Sequence, residues 1–335
     1  DNKERKKIIS DLSLNKISFL IGTHSLFQDK IQFKKLGLII IDEQHKFGVK
    51  QRKKLSDKGG VNCDVLVMSA TPIPRTMIMT AFGDMDKSII RSKPRNRKDV
   101  ITYSKPDNKI NEIILFIKKL IKIGEQIFWV CPLIEESKKL DHQSSIKRYE
   151  ILKKIFNNKV GLLHGSLKKE EKDKILTDFL ERKIDILVST TVIEVGIDFP
   201  NASAIIIENA NKFGLSQLHQ LRGRVGRGEK QSYCILLFKS TLSENAKKRI
   251  NILKKNNDGF KISEEDMKLR GYGELLGFKQ SGLHSFRLAD PVQNENLFLL
   301  AEKEINRIEN NDTDLNKYNT LLKLYDRADI LNDLV

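Results

Sequence analysis

Short apolar runs alternate with amphipathic stretches along most of the chain. In its first part, the runs over residues 17–21, 36–41 and 65–68 are compact and rich in β-branched residues, and each is followed by polar, turn-forming residues. Such runs are typical of buried parallel strands whose carboxyl ends carry the chemistry of a site. We therefore predict strands of an α/β lobe in this part of the chain.

The same alternation restarts after Pro94. Apolar residues at helical spacing predict a helix over residues 110–121, then a strand over 126–131 and a lysine-rich helical segment that reaches residue 155. Later runs predict strands over 160–163, 185–189, 204–207 and 232–238, and helices over 168–180 and 216–221. The polar segment 91–99 is the linker candidate, so the pattern predicts two tandem α/β lobes with parallel sheets.

Helical periodicity dominates beyond residue 242. Residues 243–255 and 263–270 predict two helices joined by the turn 256–259, and Ser263 with Asp266 predicts a capping pair for the second helix. The predicted domains are residues 1–97, a first lobe; 98–242, a second lobe; and 243–335, a helical hairpin followed by a helical tail.

Basic residues outnumber acidic ones, with 60 lysines and arginines against 44 aspartates and glutamates and a formal net charge of +16. This balance favours a polyanionic partner, and nucleic acid fits it better than a membrane surface. Cys63, Cys131 and Cys234 lie far apart in apolar runs without metal-ligand spacing, which predicts buried thiols and a reducing compartment. No apolar run approaches the length of a membrane span.

The stretch 217–228, QLHQLRGRVGRG, places Arg222, Arg224 and Arg227 within six residues. Arg224 and Arg227 are three residues apart, so on a helical turn their guanidinium groups would share a face and converge on phosphoryl oxygens. An arginine in that position neutralises the charge that develops during phosphoryl transfer. A solvated basic helix end is the alternative, but the preceding Gln217, His219 and Gln220 favour the phosphate interpretation.

Two adjacent carboxylates, Asp42 and Glu43, follow the apolar run LIII directly and precede Gln44 and His45. Adjacent carboxylates repel one another unless a cation shares them. We therefore interpret Asp42 as a ligand of Mg²⁺, directly or through water, and Glu43 as the residue that orients or deprotonates the attacking water. A solvated turn is the alternative if the pair stood alone.

Small hydroxyl side chains follow the next predicted strand, in Ser69-Ala70-Thr71. Ser69 and Thr71 can hydrogen-bond to His45 or Gln44 across neighbouring strands. Such contacts would couple the nucleotide state to movement of the lobes. On its own this motif is weak.

Other strand ends carry candidate contacts to nucleic acid or nucleotide. Thr190 and Thr191 can donate to a phosphate, and Asp198, close to Gly196, can accept from a ribose hydroxyl, although a capped helix start would look similar. Two further segments are candidate phosphate contacts for the same reason: the His164-Gly165-Ser166 segment and the Gly22-Thr23-His24 segment.

The ordered set of motifs resembles superfamily 2 helicases, and most closely the RecG-type ATP-dependent branched-DNA helicases. The segments that carry the resemblance are IGTHSLFQ, IIIDEQHKFGVKQR, SATPIPRT, WVCPLIEES, VGLLHGSL, TTVIEVGIDFPNAS, QLHQLRGRVGRG, NDGF and RGYGELLGFKQSG. They span residues 21–282 in family order. The related transcription-repair coupling translocases share the arginine run and the RGYGELLG-like segment, whereas DEQHKFGVKQR and NDGF are more similar to RecG.

The resemblance implies tandem RecA-like lobes and an ATP- and Mg²⁺-dependent motor that acts on forks and junctions in DNA repair and recombination. It implies a protein of the bacterial cytoplasm that is associated with the nucleoid and works as a monomer. The implied partner is branched DNA, and no membrane is implied. The resemblance also assigns roles to residues: Asp42 and Glu43 to magnesium and water, Gln220, Arg224 and Arg227 to the γ-phosphate, Gly196 and Asp198 to the nucleotide, and Arg270, Gly273, Glu274, Gln280 and Gly282 to coupling of hydrolysis to translocation.

One departure from the family is that no GxxxxGK[ST] phosphate-binding loop occurs in the 335 residues. In the family this loop and the wedge domain that splits junctions lie upstream of the Gly22-Thr23-His24 segment. We therefore expect a carboxyl-terminal fragment with an incomplete first lobe, inactive alone. The alternative is a non-catalytic DNA-binding remnant, which predicts salt-sensitive binding without hydrolysis. The motor hypothesis requires the acidic pair and the arginine cluster to face each other across a nucleotide cleft.

Overall fold

The computed structural model of the protein describes residues 2–43, 58–59, 63–69, 86, 88–90, 92, 97–132, 138–190, 199–239, 241–270, 294–311, 318 and 320. The chain divides into two compact units, residues 1–72 and 73–335. Both units contain parallel strands, which confirms the predicted α/β class. The domain boundaries proposed at residues 97 and 242 stay predictions.

The first unit is built on a two-stranded parallel sheet. It begins with helix α1 (Asn2–Ser13), followed by a short 3-10 helix (His24–Phe27), strand β1 (Leu38–Ile41) and strand β2 (Asp64–Val67). Because side chains alternate along a strand, Ile39 and Ile41 are buried on one face while the intervening residues of β1 are exposed on the other.

A six-stranded, entirely parallel sheet organises the second unit. Its strands are β3 (Ile101–Pro106), β4 (Gln126–Val130), β5 (Val160–Leu163), β6 (Ile186–Ser189), β7 (Ala202–Ile207) and β8 (Tyr233–Phe238), in the spatial order β3-β8-β7-β4-β6-β5. All five residues of β4 are buried, as expected for a central strand that is covered on both faces.

Helices flank this sheet and extend beyond it. They are α2 (Ile110–Lys122), α3 (Lys138–Phe156), α4 (Lys169–Leu180), α5 (Leu215–Arg222), α6 (Glu244–Lys255), α7 (Gly259–Arg270) and α8 (Glu295–Asn311). The apolar stripe of α2, which includes Ile113 and Ile117, packs on one sheet face with Trp129. The opposite face carries Phe128 and packs with residues of α5 and α6. None of the described helices is long and apolar enough to cross a membrane.

Most predicted elements are confirmed within a few residues, but the run over 17–21 is not a strand. Phe19 and Ile21 are 90% and 96% exposed, and the run pairs with no strand among the described residues. A strand needs a neighbour for its backbone hydrogen bonds, so β-branched composition was not sufficient here.

Three further elements differ from the prediction. Helix α1 and strand β3 were not predicted, because α1 is strongly polar and β3 lies at the edge of the sheet, where β8 is its one partner among the described strands. Helix α7 begins at Gly259, so the predicted capping pair of Ser263 and Asp266 is wrong. Instead, Asp258 caps this helix, since its Oδ1 accepts from the Phe260 N–H at 2.8 Å.

The cysteines follow the prediction in the second unit. Cys131 and Cys234 are buried free thiols, whereas Cys63 is half-buried. Burial raises the pKa of the Cys234 thiol to about 12, and burial likewise raises the pKa of the Cys131 thiol. Both thiols are therefore protonated at neutral pH.

Candidate nucleotide and nucleic-acid site

The acidic pair lies at the carboxyl end of β1, as predicted. Asp42 directly follows the strand and is exposed, while Glu43 is half-buried. The Glu43 N–H donates to Asp42 Oδ1 at 2.9 Å, and Glu43 has a φ of 53°, in the left-handed region that is costly for a residue with a side chain. The two adjacent carboxylates therefore lie in a sharp turn at the end of the strand.

The chemistry of this pair fits Mg²⁺. The ion typically takes one or two carboxylates and completes its shell with water and substrate phosphates. The exposed Asp42 carboxylate at a strand end meets that requirement. Among the described residues, no group of three or more histidine, cysteine, aspartate or glutamate residues could hold a metal ion by itself.

Ser69 lies at the same sheet edge as the acidic pair. Strands β1 and β2 are parallel and in register, with Ile41 opposite Val67, and the Met68 N–H donates to the Ile41 carbonyl oxygen at 2.7 Å. The residues that follow both strands therefore leave the sheet side by side. The other residues of the predicted coupling contact, Gln44, His45 and Thr71, lie outside the described residues.

The Gly22-Thr23-His24 segment opens the short 3-10 helix of the first unit. Gly22 and Thr23 are exposed, and the Leu26 N–H donates to the Thr23 carbonyl oxygen at 3.0 Å. Arg5 of α1 supports this loop, because its Nη2 donates to Gln28 Oε1 at 2.7 Å. The segment is thus accessible to a ligand and belongs to an ordered turn.

The arginine run of the second unit begins on α5 and continues into a turn. Leu215, Leu218 and Leu221 are fully buried at helical spacing and fix α5 against the sheet. The Gln217 side-chain oxygen accepts from the Gly214 N–H at 3.0 Å and satisfies a donor at the start of the helix. Gln220 is half-buried on this helix.

Arg224 and Arg227 do not share a helical face, contrary to the prediction. Helix α5 ends at Arg222, and Gly226 adopts a φ of +75°, which turns the chain away between the two arginines. Arg224 is half-buried, and Arg227 is exposed. The two side chains therefore belong to a turn after the helix.

Arg222 has a structural role that the sequence did not reveal. Its side chain is buried, and Nη1 donates to the carbonyl oxygens of Leu253 at 2.7 Å and Asn256 at 2.8 Å. The same nitrogen lies 3.4 Å from Thr102 Oγ1 of strand β3. The phosphate interpretation was made for the arginine cluster, but Arg222 binds backbone carbonyl oxygens at the end of α6.

His219 is neutral beside this buried cation. Nη2 of Arg222 lies 3.1 Å from His219 Nδ1, and since a guanidinium group can only donate, Nδ1 is the acceptor. Burial, with a smaller contribution from the charge of Arg222, lowers the pKa of His219 to about 4. Burial also lowers the pKa of the Arg222 guanidinium.

The helical hairpin of α6 and α7 is joined to α5 at two further points. Ser216 Oγ donates to Asp266 Oδ2 at 2.5 Å, which links α5 to α7. Arg249 of α6 donates through Nη1 to the Phe213 carbonyl oxygen at 2.7 Å, just before α5 begins. Together with Arg222, these contacts hold the start and the end of the arginine-bearing helix on the hairpin.

His164 and Thr190 lie at neighbouring strand ends of the large sheet. Their strands, β5 and β6, pair in register, and the Thr190 N–H lies 3.4 Å from the Leu163 carbonyl oxygen. The His164 and Thr190 side chains are only 8% and 3% exposed. The exposed residues of the loop after β5 are Gly165 and Ser166, so contacts of the two buried side chains to phosphate stay predictions.

Several predicted site residues lie outside the described part of the chain: Thr191, Gly196, Asp198, Gly273, Glu274, Gln280 and Gly282. The backbone of Arg270 ends α7, where the predicted coupling segment begins.

Three parts of the chain match known protein families. The helicase conserved C-terminal domain family matches residues 107–229, the DEAD/DEAH box helicase family matches 1–80, and the family described as ATP-dependent DNA helicase RecG, domain 3, C-terminal, matches 256–327. All three matches follow the order of the motifs in the sequence.

Curated relatives are highly similar. The chain is 51% identical over 292 residues to the ATP-dependent DNA helicase RecG of Bacillus subtilis (strain 168), covering 87% of this chain and 42% of that protein. It is 49% identical over 308 residues to the protein of the same name from Thermotoga maritima, covering 91% of this chain and 39% of that protein. The chain thus spans about two fifths of the length of these relatives, in their carboxyl-terminal part.

Solved structures support the same assignment. A structure of RecG bound to a three-way DNA junction matches with a TM-score of 0.65 and 45% identity, covering 89% of this chain and 38% of that one. Yeast Dbp5 bound to RNA and ADP BeF3 matches with a TM-score of 0.51 at 18% identity, covering 74% of this chain and 66% of that one, which shows the fold alone. The resemblance predicted from the motifs is confirmed: the chain belongs to the RecG-type ATP-dependent DNA helicases.

Proposed function

We propose that this chain is the carboxyl-terminal motor portion of an ATP-driven translocase that acts on forked and junction DNA in repair and recombination. The observation that carries the proposal is the 51% identity to a protein named ATP-dependent DNA helicase RecG, in a chain that retains an acidic pair at a strand end and an arginine turn. Branched DNA as the substrate rests on the relative that was solved with a three-way junction.

In this proposal the acidic pair of the first unit and the arginine turn of the second unit both serve ATP hydrolysis. When bound, ATP supplies the phosphoanhydride bond that is cleaved, and Mg²⁺ neutralises part of the charge on its phosphates. Asp42 would hold the ion, and Glu43 would orient the attacking water and accept its proton. Arg224 and Arg227 would stabilise negative charge on the transferred phosphoryl group, with Gln220 beside them, and Gly196 and Asp198 would complete the nucleotide contacts.

The helical hairpin is the element that would carry the hydrolysis state to the coupling segment. Helix α5 is joined to α6 through Arg222 and to α7 through Ser216 and Asp266. A shift of the arginine turn on hydrolysis would therefore move Arg270 at the end of α7. From there it would reach the glycine-rich segment that contains Gly273, Glu274, Gln280 and Gly282.

Nucleic acid would be held by the Gly22-Thr23-His24 segment, in which Gly22 and Thr23 are exposed, and by the loops after β5 and β6, which carry His164, Thr190 and Thr191. The net charge of +16 supports a polyanionic partner. We further propose that the protein works as a monomer and associates with the nucleoid through its DNA.

ATP hydrolysis by the longest natural protein that contains this chain tests the proposal. Forked DNA is expected to stimulate hydrolysis more than linear duplex of equal length. Arg227→Ala is expected to lower the stimulated rate by roughly a thousandfold, as for other arginines at a transferred phosphoryl group. Hydrolysis that is indifferent to branched DNA, or unchanged by Arg227→Ala, would contradict the motor. Salt-sensitive DNA binding without any hydrolysis would favour a non-catalytic DNA-binding protein.

A further inference from the structure

The ammonium group of Lys58 lies among three backbone carbonyl oxygens of one loop. Its Nζ donates to the carbonyl oxygens of Leu26 at 3.3 Å, Gln28 at 2.5 Å and Ile31 at 2.9 Å. A lysine ammonium has three N–H donors, so these contacts match its donor capacity. Carbonyl oxygens that converge in this way repel one another without a cation. The shape of the loop therefore depends on Lys58.

This loop is continuous with the exposed Gly22-Thr23 backbone. Leu26, whose carbonyl oxygen Lys58 binds, also donates its N–H to the Thr23 carbonyl oxygen at 3.0 Å. A Cβ atom added to Gly22 would lie 2.9 Å from the Leu26 side chain, so Leu26 packs directly on the Gly22 backbone. Through Leu26, the position of Lys58 sets the position of the Gly22-Thr23 segment.

The main chain at Lys58 is itself fixed against the small sheet. A Cβ atom on the next residue, Gly59, would lie 2.3 Å from Cys63 Cβ and 2.4 Å from Cys63 Sγ, so only glycine permits this close approach. Cys63 directly precedes β2. One side chain thus connects the start of a sheet strand to the loop that follows Gly22-Thr23.

We infer that Lys58 is a positioning residue for DNA binding, which holds the Gly22-Thr23 segment in the shape that binds a phosphate without contacting DNA itself. Its donors are directed at carbonyl oxygens, so Lys58 acts through the backbone of the loop. The inference rests on the proposed function, in which this segment contacts DNA. It predicts weaker DNA binding together with an intact capacity for hydrolysis.

The test compares Lys58→Met with Lys34→Met in the longest natural protein that contains this chain. Lys34 is an exposed lysine of the same unit, so its substitution removes the same charge from the surface. For Lys58→Met, the concentration of forked DNA that half-saturates ATP hydrolysis is expected to rise about tenfold, since charge-assisted hydrogen bonds shape the site. The rate at saturating DNA is expected to stay close to that of the wild type and of Lys34→Met.

The salt dependence of DNA affinity separates positioning from direct contact. A residue that neutralises a phosphate contributes about 0.9 to the slope of log K against log salt, and its loss makes the slope shallower by that amount. Lys58→Met is expected to keep the wild-type slope, and Lys58→Arg, which keeps the charge and donors, is expected to recover part of the affinity. A shallower slope, or an arginine variant no better than methionine, would overturn the inference.

Failure of the inference differs from failure of the proposed function. A wild-type protein without DNA-stimulated hydrolysis contradicts the function. A stimulated wild type with indistinguishable Lys58→Met and Lys34→Met variants contradicts only the role of Lys58. If Lys58→Met does not fold, Lys58→Gln is measured in the same way, because it keeps two N–H donors on a shorter side chain. This variant is again expected to bind DNA more weakly than the wild type. Wild-type affinity for DNA would contradict the inference.

Discussion

Nη1 of Arg222 donates to the carbonyl oxygen of Leu253 at 2.7 Å and thereby joins the arginine-bearing helix α5 to the end of α6. The last carbonyl groups of a helix lack intrahelical partners, and a cation there also interacts favourably with the helix dipole. One of three neighbouring arginines thus stabilises the fold, while Arg224 and Arg227 continue into the turn. Substitutions along this short run should therefore affect different properties.

Arg222→Ala is expected to destabilise the second unit by about 3–5 kcal/mol, because it leaves the buried carbonyl oxygen of Leu253 and the half-buried one of Asn256 without this donor. Arg227→Ala is the matched control, since Arg227 is exposed and its loss is expected to change stability by less than about 0.5 kcal/mol. Urea unfolding followed by the fluorescence of Trp129, the one tryptophan in the sequence, measures both. Equal stabilities of the two variants would contradict the structural role of Arg222.

Stability is expected to fall in acid because of His219. Its pKa is lowered in the fold from 6.5 to about 4, so the unfolded chain binds the proton first as the pH decreases. The neutral histidine therefore contributes about 3 kcal/mol to the free energy of unfolding. This contribution is fully present above about pH 6.5 and is lost as the pH falls from about 6.5 to about 4. Urea unfolding across this pH range measures the decline.

The control for this pH dependence is His219→Gln, whose side-chain oxygen can accept from Arg222 and does not titrate. The difference in unfolding free energy between wild type and variant is expected to change between pH 7 and pH 4 and to stay constant above pH 7. Parallel curves for the two proteins over the whole range would contradict the assignment to His219.

The contact between Ser216 and Asp266 is expected to couple hydrolysis to movement on DNA. Removing it with Ser216→Ala frees α5 from α7, so we expect ATP hydrolysis to continue while fork unwinding per ATP falls. A double-mutant cycle with Asp266→Asn is expected to give an interaction energy of about 1–2 kcal/mol for the pair in urea unfolding. If the rates of fork unwinding and ATP hydrolysis fall in proportion in Ser216→Ala, the contact serves only the stability of the fold.

The sequence predicted the parts of the fold and site that depend on strand ends. Parallel strands place their carboxyl ends at one edge, so the positions of Asp42, Ser69, His164 and Thr190 followed from apolar runs alone. The turn between Arg224 and Arg227 could not be predicted in this way, because it depends on a positive φ at Gly226. As a result the three arginines could not be told apart.

Long-range contacts to backbone atoms left no signal in the sequence. The carbonyl oxygens that Lys58 and Arg222 bind belong to segments distant in the chain, and any residue type supplies the same acceptor. The capping prediction failed for a related reason: Ser263 has a suitable side chain, but Asp258, three residues after the end of α6, caps the next helix instead. Local composition permitted both starts.

Gly226 is expected to be the least tolerant glycine of the arginine run. Its φ of +75° disfavours a side chain, and a Cβ atom there would lie 2.7 Å from Val100 Cγ2, while Arg97 Nε donates to its carbonyl oxygen at 2.8 Å. Gly226→Ala should therefore destabilise the second unit by about 1–3 kcal/mol. It should also displace Arg227 and lower ATP hydrolysis.

Gly165→Ala is the matched control for this substitution, because a Cβ atom at Gly165 meets no atom within 4 Å. Its effect on stability is expected to stay within about 0.5 kcal/mol. Combining Gly226→Ala with Val100→Ala removes the steric clash and leaves the backbone strain, so part of the lost stability should return in urea unfolding. If Gly226→Ala is as stable as Gly165→Ala, the turn between Arg224 and Arg227 does not require the left-handed backbone, and the separation of the two arginines must have another cause.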